Sequence, residues 1–372
     1  MGIFITGSTG YLGSYVVSEL LEDHNNTLHL LVRAKDNKEA KKRLWQALQL
    51  HMSFHEFSER LKKIEIVLGD LTQKQFGLDQ AHWNALVKKT NSIIHCAASL
   101  NRKSEKTCLN VNLRGTLQVI QLAKQAHKDH GLRRFSNVST VAIAGQRQDE
   151  RVYEDDAIDW SRSDYDPYAR TKKFCEYMLE QWLEDIPYTI FRPSIILGDE
   201  RFPETTQFDM ARAFVWLAKL PFLPFKKNWK LDIVPANYVG HAVVAIHQKD
   251  NPKHKVYHLS SGDSSLTYRD IVRDLEKKGL SIHHTFLPLF EPIFRNTIHA
   301  LTMLPRGWKV SKVASLMKVF LPYLTFNTVF DNTRVIQEIH RKPKPFSEYA
   351  YPFYTFVDAN HFRYPYEPYP GE

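Results

Sequence analysis
The chain has 372 residues, 43% hydrophobic and 24% charged, with a formal net charge of +9. This length and balance exclude a disordered or fibrous chain and fit two domains, or one large domain with an added lobe. The positive charge admits an anionic ligand or partner, but no basic run interleaved with aromatics marks a nucleic-acid module.

Three cysteines, Cys96, Cys108 and Cys175, form no Cys-x-x-Cys pair and no spaced set with histidine. Neither a metal site nor a disulfide framework is expected, which suits a reducing, cytoplasmic setting. No run of about 18 apolar residues suggests a membrane span, and no leader precedes the first strand-like segment. The opening "MGIFIT" fits a myristoylation pattern. The same residues lead straight into a glycine-rich turn, so they read as a buried first strand.

"IFITGSTGYLGSYVVSELLE" reads as strand, tight turn and helix. Ile3, Phe4 and Ile5 form the apolar run, and Val16, Val17, Leu20 and Leu21 recur at helical period. Between them, Gly7, Gly10 and Gly13 let the backbone turn tightly and approach a pyrophosphate at the helix N-terminus. Thr6, Gly7, Ser8, Thr9, Gly10, Tyr11, Leu12 and Gly13 are the candidate dinucleotide cradle.

A second strand, "LHLLVR", ends at Arg33, where an acidic residue would bind a ribose hydroxyl and an arginine accommodates a 2'-phosphate. Asp36 comes too late to replace it, so NADP(H) is expected over NAD(H). "KIEIVLGDLT" gives a third strand over residues 64–68, ending at Gly69, Asp70 and Leu71. "NSIIHCAAS" gives a fourth, with Ala97 and Ala98 small enough to pass under a flat ligand. His95 on that strand reads as structural. "RFSNVST" gives a fifth, ending at Ser139 and Thr140. Strands alternating with helices predict an α/β fold, a Rossmann-type doubly wound parallel sheet binding its ligand beyond the strand ends.

"DPYARTK" follows. Asp166 suits an N-cap and Pro167 the first helical position, which puts Tyr168 and Lys172 one turn apart on one face. A phenol ionises near pH 10, and a neighbouring ammonium lowers that value. Tyr168 is the candidate proton donor, Lys172 its tuning cation and ribose ligand, and Thr140 the hydroxyl that holds the substrate oxygen, with Ser139 beside it. Gly145 helps fix the register.

Beyond residue 195 the chain leaves the sheet. The first domain is expected to hold 1–195, with 231–247 returning to it. Residues 196–230 and 248–372 form a mostly helical second lobe. Its segment "LPLFEPIFRNTIHALTMLPRGWKVSKVASLMKVFLPYL" reads as covering helices or, more sharply, as an acyl channel or a surface touching membrane. "YPYEPYP" reads as an irregular wrapping tail.

The motifs "TGSTGYLG", "GDL", "HCAAS", "NLRGT", "VSTVAIAG" and "YARTK" resemble the extended short-chain dehydrogenase/reductases. "LLVRAKDNKEAKKRL", "GDLTQKQFGL", "FRPSIILGD" and "FNTVFDNTRV" are similar to the thioester reductase branch, the male-sterility type that includes fatty acyl-CoA reductases. The match is good over residues 1–250 and loose beyond. The resemblance implies catalytic Thr140, Tyr168 and Lys172, a motif asparagine at Asn112, and a nicotinamide packed near Pro193 and Ser194. It implies reduction of an acyl thioester, on coenzyme A or a carrier protein, to aldehyde or alcohol. Because the chain starts at its first strand, that thioester is expected in trans. The same motifs also serve epimerases or dehydratases of nucleotide sugars and ketone reductases. A further alternative is an NADP-binding regulator without turnover.

Overall fold
Apolar runs that end at small or polar residues become one parallel sheet in the computed structural model, which describes residues 2–23, 26–305 and 308–370. Its strands are β1 (Gly2–Thr6), β2 (Leu28–Val32), β3 (Ile64–Leu68), β4 (Thr90–His95), β5 (Arg134–Val138), β7 (Tyr188–Pro193) and the edge strand Val256–Leu259. The short β6 (Arg151–Val152) lies outside it, paired with Val329–Phe330. Across the sheet the order is Val256–Leu259, β7, β5, β4, β1, β2, β3. Every pair is parallel, with Ile5 opposite Leu30 on one side and Ile94 on the other. The chain runs outward from β1 to β3, then restarts at β4 on the other side of β1. Such a reversal leaves a crevice at the carboxyl ends of the strands.

Helices cover both faces. α1 (Tyr11–Asp23), α2 (Asn37–Leu48) and α3 (Phe54–Arg60) pack on one, and α4 (Gln80–Lys89), α6 (Gly115–His130) and α7 (Pro167–Trp182) on the other. α5 (Glu105–Cys108) is a single turn, joined to α6 by the π-helical stretch Leu109–Arg114. The second lobe holds α8 (Asp209–Ala218), α10 (Tyr268–Lys277), α11 (Glu291–Leu301), α12 (Lys309–Thr325) and α14 (Ala350–Ala359), around a core that buries Phe225, Met317 and Phe353.

α9 (Ala236–Gln248) lies between two second-lobe segments yet packs on α1. The seam buries Val16, Val17, Leu20, Val239 and Val243, and a Cβ at Gly240 would stand only 2.8 Å from that of Tyr15. Each such burial contributes roughly 1.5–3 kcal/mol, more than the few tenths to about 1 kcal/mol that a longer excursion of the chain costs. The strand before it, Ile233–Val234, pairs with Ile195–Ile196 and not with the central sheet.

The sequence placed all of 248–372 in the second lobe, but Val256–Leu259 is the seventh strand of the central sheet. α13 (Thr333–Ile339) also packs there, with Val335 buried in the α1–α9 core. A four-residue strand carries too little periodicity to be read alone, and it covers an otherwise open edge of β7. On the outer lobe Leu289, Ile293, Met303 and Trp308 are exposed. Among the described residues no helix is long and apolar enough to cross a membrane.

Candidate active site
At the switch point, Thr6 ends β1 and the chain turns into α1 through Gly7 and Gly10. Gly7 has φ +78°, and a Cβ there would meet the Ala97 nitrogen at 2.7 Å. A Cβ on Gly13 would stand 2.0 Å from the Gly7 carbonyl. Only glycine fits either position. The turn opens onto a cavity of about 900 Å³ that runs along the strand ends. No acidic residue occupies the first turn of α1, so its N-terminal amides present uncompensated positive charge.

The cavity is lined by Thr6, Gly7, Thr9, Gly10, Tyr11, Leu12 and Gly13 from the cradle. Arg33, Asp70, Leu71, Ala97 and Ala98 add the next strand ends, and Ser139, Thr140, Tyr168, Lys172, Pro193 and Ser194 the far side. Two expected residues stand outside the lining. Ser8 is buried under the turn. Asn112 braces the loop after β4, its Oδ1 accepting from the Ser99 amide at 2.7 Å and its Nδ2 donating to Thr171 at 2.9 Å. His95 is likewise buried, bridging Thr6 and Thr116. Burial, aided by the Lys172 charge, pushes its pKa down to about 3, so it stays neutral.

Asp166 caps α7 by accepting from the Ala169 amide at 2.8 Å, and Pro167 opens the helix. This sets Tyr168 and Lys172 facing the sheet, 7% and 2% exposed. Lys172 Nζ donates to the Val138 carbonyl at 2.6 Å. Ser139 turns away and gives its hydroxyl to Glu176, which pairs with Arg192 at 2.7 Å. Thr140 is thus the hydroxyl at the phenol.

Burial pushes the Tyr168 phenol up to about 12. The Arg102 charge and the Thr140 hydrogen bond pull the other way, while Asp166 adds to the rise. The sequence assigned the lowering cation to Lys172, but Arg102 exerts the largest lowering. Its guanidinium lies 5.0 Å from the Tyr168 ring centroid and 3.1 Å from Asp166. Sequence reasoning missed Arg102, because it sits in a loop with no periodicity. It missed Arg43 as well, a basic residue ten positions beyond Arg33 that donates to the Arg33 carbonyl and lines the cavity. The second lobe closes the other wall with Gln207, Met210, Phe320 and Tyr323.

A family model described as Male sterility protein, an NAD-binding domain, matches residues 5–243. The chain belongs to the male sterility protein family. Within 5–243 fall the cradle, Thr140, Tyr168, Lys172 and Met210; Phe320 and Tyr323 lie beyond the matched span. Nonribosomal peptide synthetase asaC of Aspergillus flavus is 29% identical over 272 residues, covering 69% of this chain but 26% of the synthetase. A Drosophila melanogaster protein assigned as a fatty acyl-CoA reductase, CG8306, is 26% identical over 375 residues, 88% of this chain and 70% of that protein. The chain therefore spans about a quarter of the first of these relatives. The terminal R domain of the myxalamid PKS-NRPS pathway superposes with a TM-score of 0.83 at 20% identity, over 98% of this chain and 92% of that one. That likeness shows a shared fold.

The residues of this male sterility family member fit a dinucleotide. The glycine turn leaves no space for a Cβ, and Tyr11, Leu12 and Gly13 at the start of α1 line the cavity. The Ser194 hydroxyl stands at the cavity wall beside the buried Asp232 carboxylate.

Proposed function
We propose that the chain is an NADPH-dependent reductase of acyl thioesters. The observation that carries this reading is the meeting of Thr140, Tyr168 and Lys172 with the glycine cradle in one cavity. The family match and the relatives assigned to acyl-CoA reduction and peptide synthesis support it.

Thr6 to Gly13 would hold the pyrophosphate, Arg33 and Arg43 the 2'-phosphate, and Lys172 the ribose nearest the reacting centre. Once bound, the dinucleotide supplies a hydride. Thr140 and Tyr168 donate hydrogen bonds to the thioester oxygen, which steadies the charge that develops there. With its phenol raised by burial, Tyr168 keeps its proton at neutral pH and can give it up to that oxygen. The Lys172 ammonium and the Arg102 guanidinium offset the phenolate left behind. The resulting hemithioacetal loses thiol to give the aldehyde. The second-lobe wall of Met210 and Phe320 shelters this region from water. The positive net charge suits an anionic thioester donor, coenzyme A or a phosphopantetheinylated carrier protein.

Loss of NADPH absorbance with acyl-CoA thioesters of graded length tests the reading, with NADH, a fatty aldehyde and a nucleotide sugar as comparisons. Oxidation that depends on the thioester is expected. Turnover of the nucleotide sugar with no response to any thioester would transfer the function to an epimerase or dehydratase.

A further inference from the structure
After α14 the chain leaves the second lobe and crosses to the nucleotide domain. The Phe362 carbonyl accepts from Arg212 of α8 at 3.4 Å, and the Tyr364 hydroxyl donates to the Gln49 carbonyl beyond α2 at 3.4 Å. The Gln49 side chain then grips Glu367 on both sides. Its Oε1 accepts from the Glu367 amide at 2.7 Å, and its Nε2 donates to the Glu367 carbonyl at 3.5 Å. Trp45 Nε1 donates to the same carbonyl at 3.2 Å, and Tyr369 packs edge-on against Phe54 of α3 at 5.5 Å.

Between these ties stands Tyr366. Its ring remains 43% exposed, yet it lines the main cavity alongside Arg43, Gln46 and Ala47 of α2. Tyr364 supports it at a ring distance of 4.9 Å. Pro365, Pro368 and Pro370 restrict the unfolded chain, so holding the ring there costs little entropy. An aromatic face fixed over a cavity mouth, beside an arginine, matches a purine that carries a phosphate.

We infer that residues 364–369 form a strap belonging to the nucleotide site, with Tyr366 contacting the phosphoadenosine half of the cofactor. The inference rests on the proposed NADPH site and adds to it an element outside the family-matched residues 5–243. Phosphorylated adenosine also occurs in coenzyme A, so the probes must separate the two sources. Binding of 2',5'-ADP, 3',5'-ADP and ADP to the full chain is measured by calorimetry, with thermal melts to verify folding.

Tyr366→Ala should weaken 2',5'-ADP about tenfold, and Tyr366→Phe, which keeps the ring, by no more than about twofold. Gln49→Ala, which releases Glu367, should weaken it in the same direction. Affinity for 2',5'-ADP within about twofold of the parent in both Tyr366→Ala and Gln49→Ala overturns the inference. A loss confined to 3',5'-ADP also overturns it, because the strap would then serve the thioester donor. A parent that binds ADP as tightly as 2',5'-ADP removes the NADPH preference instead. The strap is then judged by the same variants on ADP.

Discussion
The Arg102 guanidinium stacks 5.0 Å from the ring centroid of Tyr168 while pairing at 3.1 Å with Asp166, the cap of the helix that carries that tyrosine. Tyr323 of the second lobe donates to the same Asp166 at 2.9 Å and stacks on Tyr165 at 4.6 Å. One cation therefore ties the proposed proton donor, its helix and the opposite lobe together. Arg102 opposes the rise that burial imposes on the phenol, so its loss makes Tyr168 a weaker acid. Arg102→Met should slow the hydride-transfer step about three- to tenfold, and Arg102→Lys less, because charge is kept. Single-turnover rates with deuterated NADPH measure this. An unchanged rate in Arg102→Met would remove Arg102 from the proton transfer.

Tyr168 and Lys172 separate by what each holds. Tyr168→Phe deletes the proton but leaves the ring under Arg102, so the chemical rate should fall about a hundredfold or more. NADPH affinity should change by less than about threefold. Lys172 is buried and bonded to the Val138 carbonyl. Lys172→Met should therefore lower both cofactor affinity and rate. Equal effects of the two variants on affinity and rate would argue against distinct roles.

Arg33 is 70% exposed and stands 4.0 Å from Asp70, so that carboxylate only partly neutralises it. Arg43 approaches through the Arg33 carbonyl. Each charged hydrogen bond to a phosphate is worth about 1.5–3 kcal/mol. Arg33→Ser with Arg43→Gln should reduce the preference for NADPH over NADH about a hundredfold, read from kcat/KM with each cofactor. An unaltered ratio would place the 2'-phosphate elsewhere.

What the sequence made legible is what local chemistry dictates. The Gly7–Gly13 turn, the Asp166-Pro167 cap and the Tyr168–Lys172 spacing are all set within a few residues of chain, and β1 to β5 end within about two residues of their expected positions. Arg102, Tyr323 and Tyr366 were not legible. Their roles arise from contacts between segments 60 to 320 residues apart, such as Tyr323 with Asp166 and Glu367 with Gln49. The strand Val256–Leu259 escaped for the same reason: only its pairing with β7 makes it a strand. Ser139 and Thr140 are neighbours in sequence, and the buried Glu176 decides which one faces the phenol.

Glu154 offers a test of stability. It is buried beside the edge strand, accepting from the His258 amide at 3.3 Å, with Asp331 and Arg334 also facing it. Burial, with a smaller push from Asp331, raises its pKa from 4.5 to about 7, against the pull of the His258 amide and Arg334. Between those values the folded chain keeps a proton that the unfolded chain has lost. The stability this supplies is complete below about pH 4.5 and is lost as pH rises through about 7. Glu154→Gln keeps the acceptor and removes the charge. It should match the parent near pH 5 and exceed it by roughly 1–3 kcal/mol near pH 8 in urea unfolding. An equal difference at both pH values would show that Glu154 does not titrate in this range.

Met210, together with Ile195, borders two spaces. One side lines the main cavity, and the other lines an apolar pocket of about 50 Å³ walled by Phe214, Leu217, Ile271 and Leu324, between α8 and α10. If the proposed acyl chain leaves the reacting centre toward this pocket, it passes Met210. Removing the side chain joins the two spaces, and each methylene then drawn in contributes about 0.8 kcal/mol, about fourfold in kcat/KM. Met210→Ala should shift the preference toward longer acyl-CoA thioesters, and Met210→Phe, which blocks the opening, toward shorter ones. The kcat/KM profile over a chain-length series decides between them. A profile unmoved by either substitution would mean that the acyl chain leaves by another wall of the cavity.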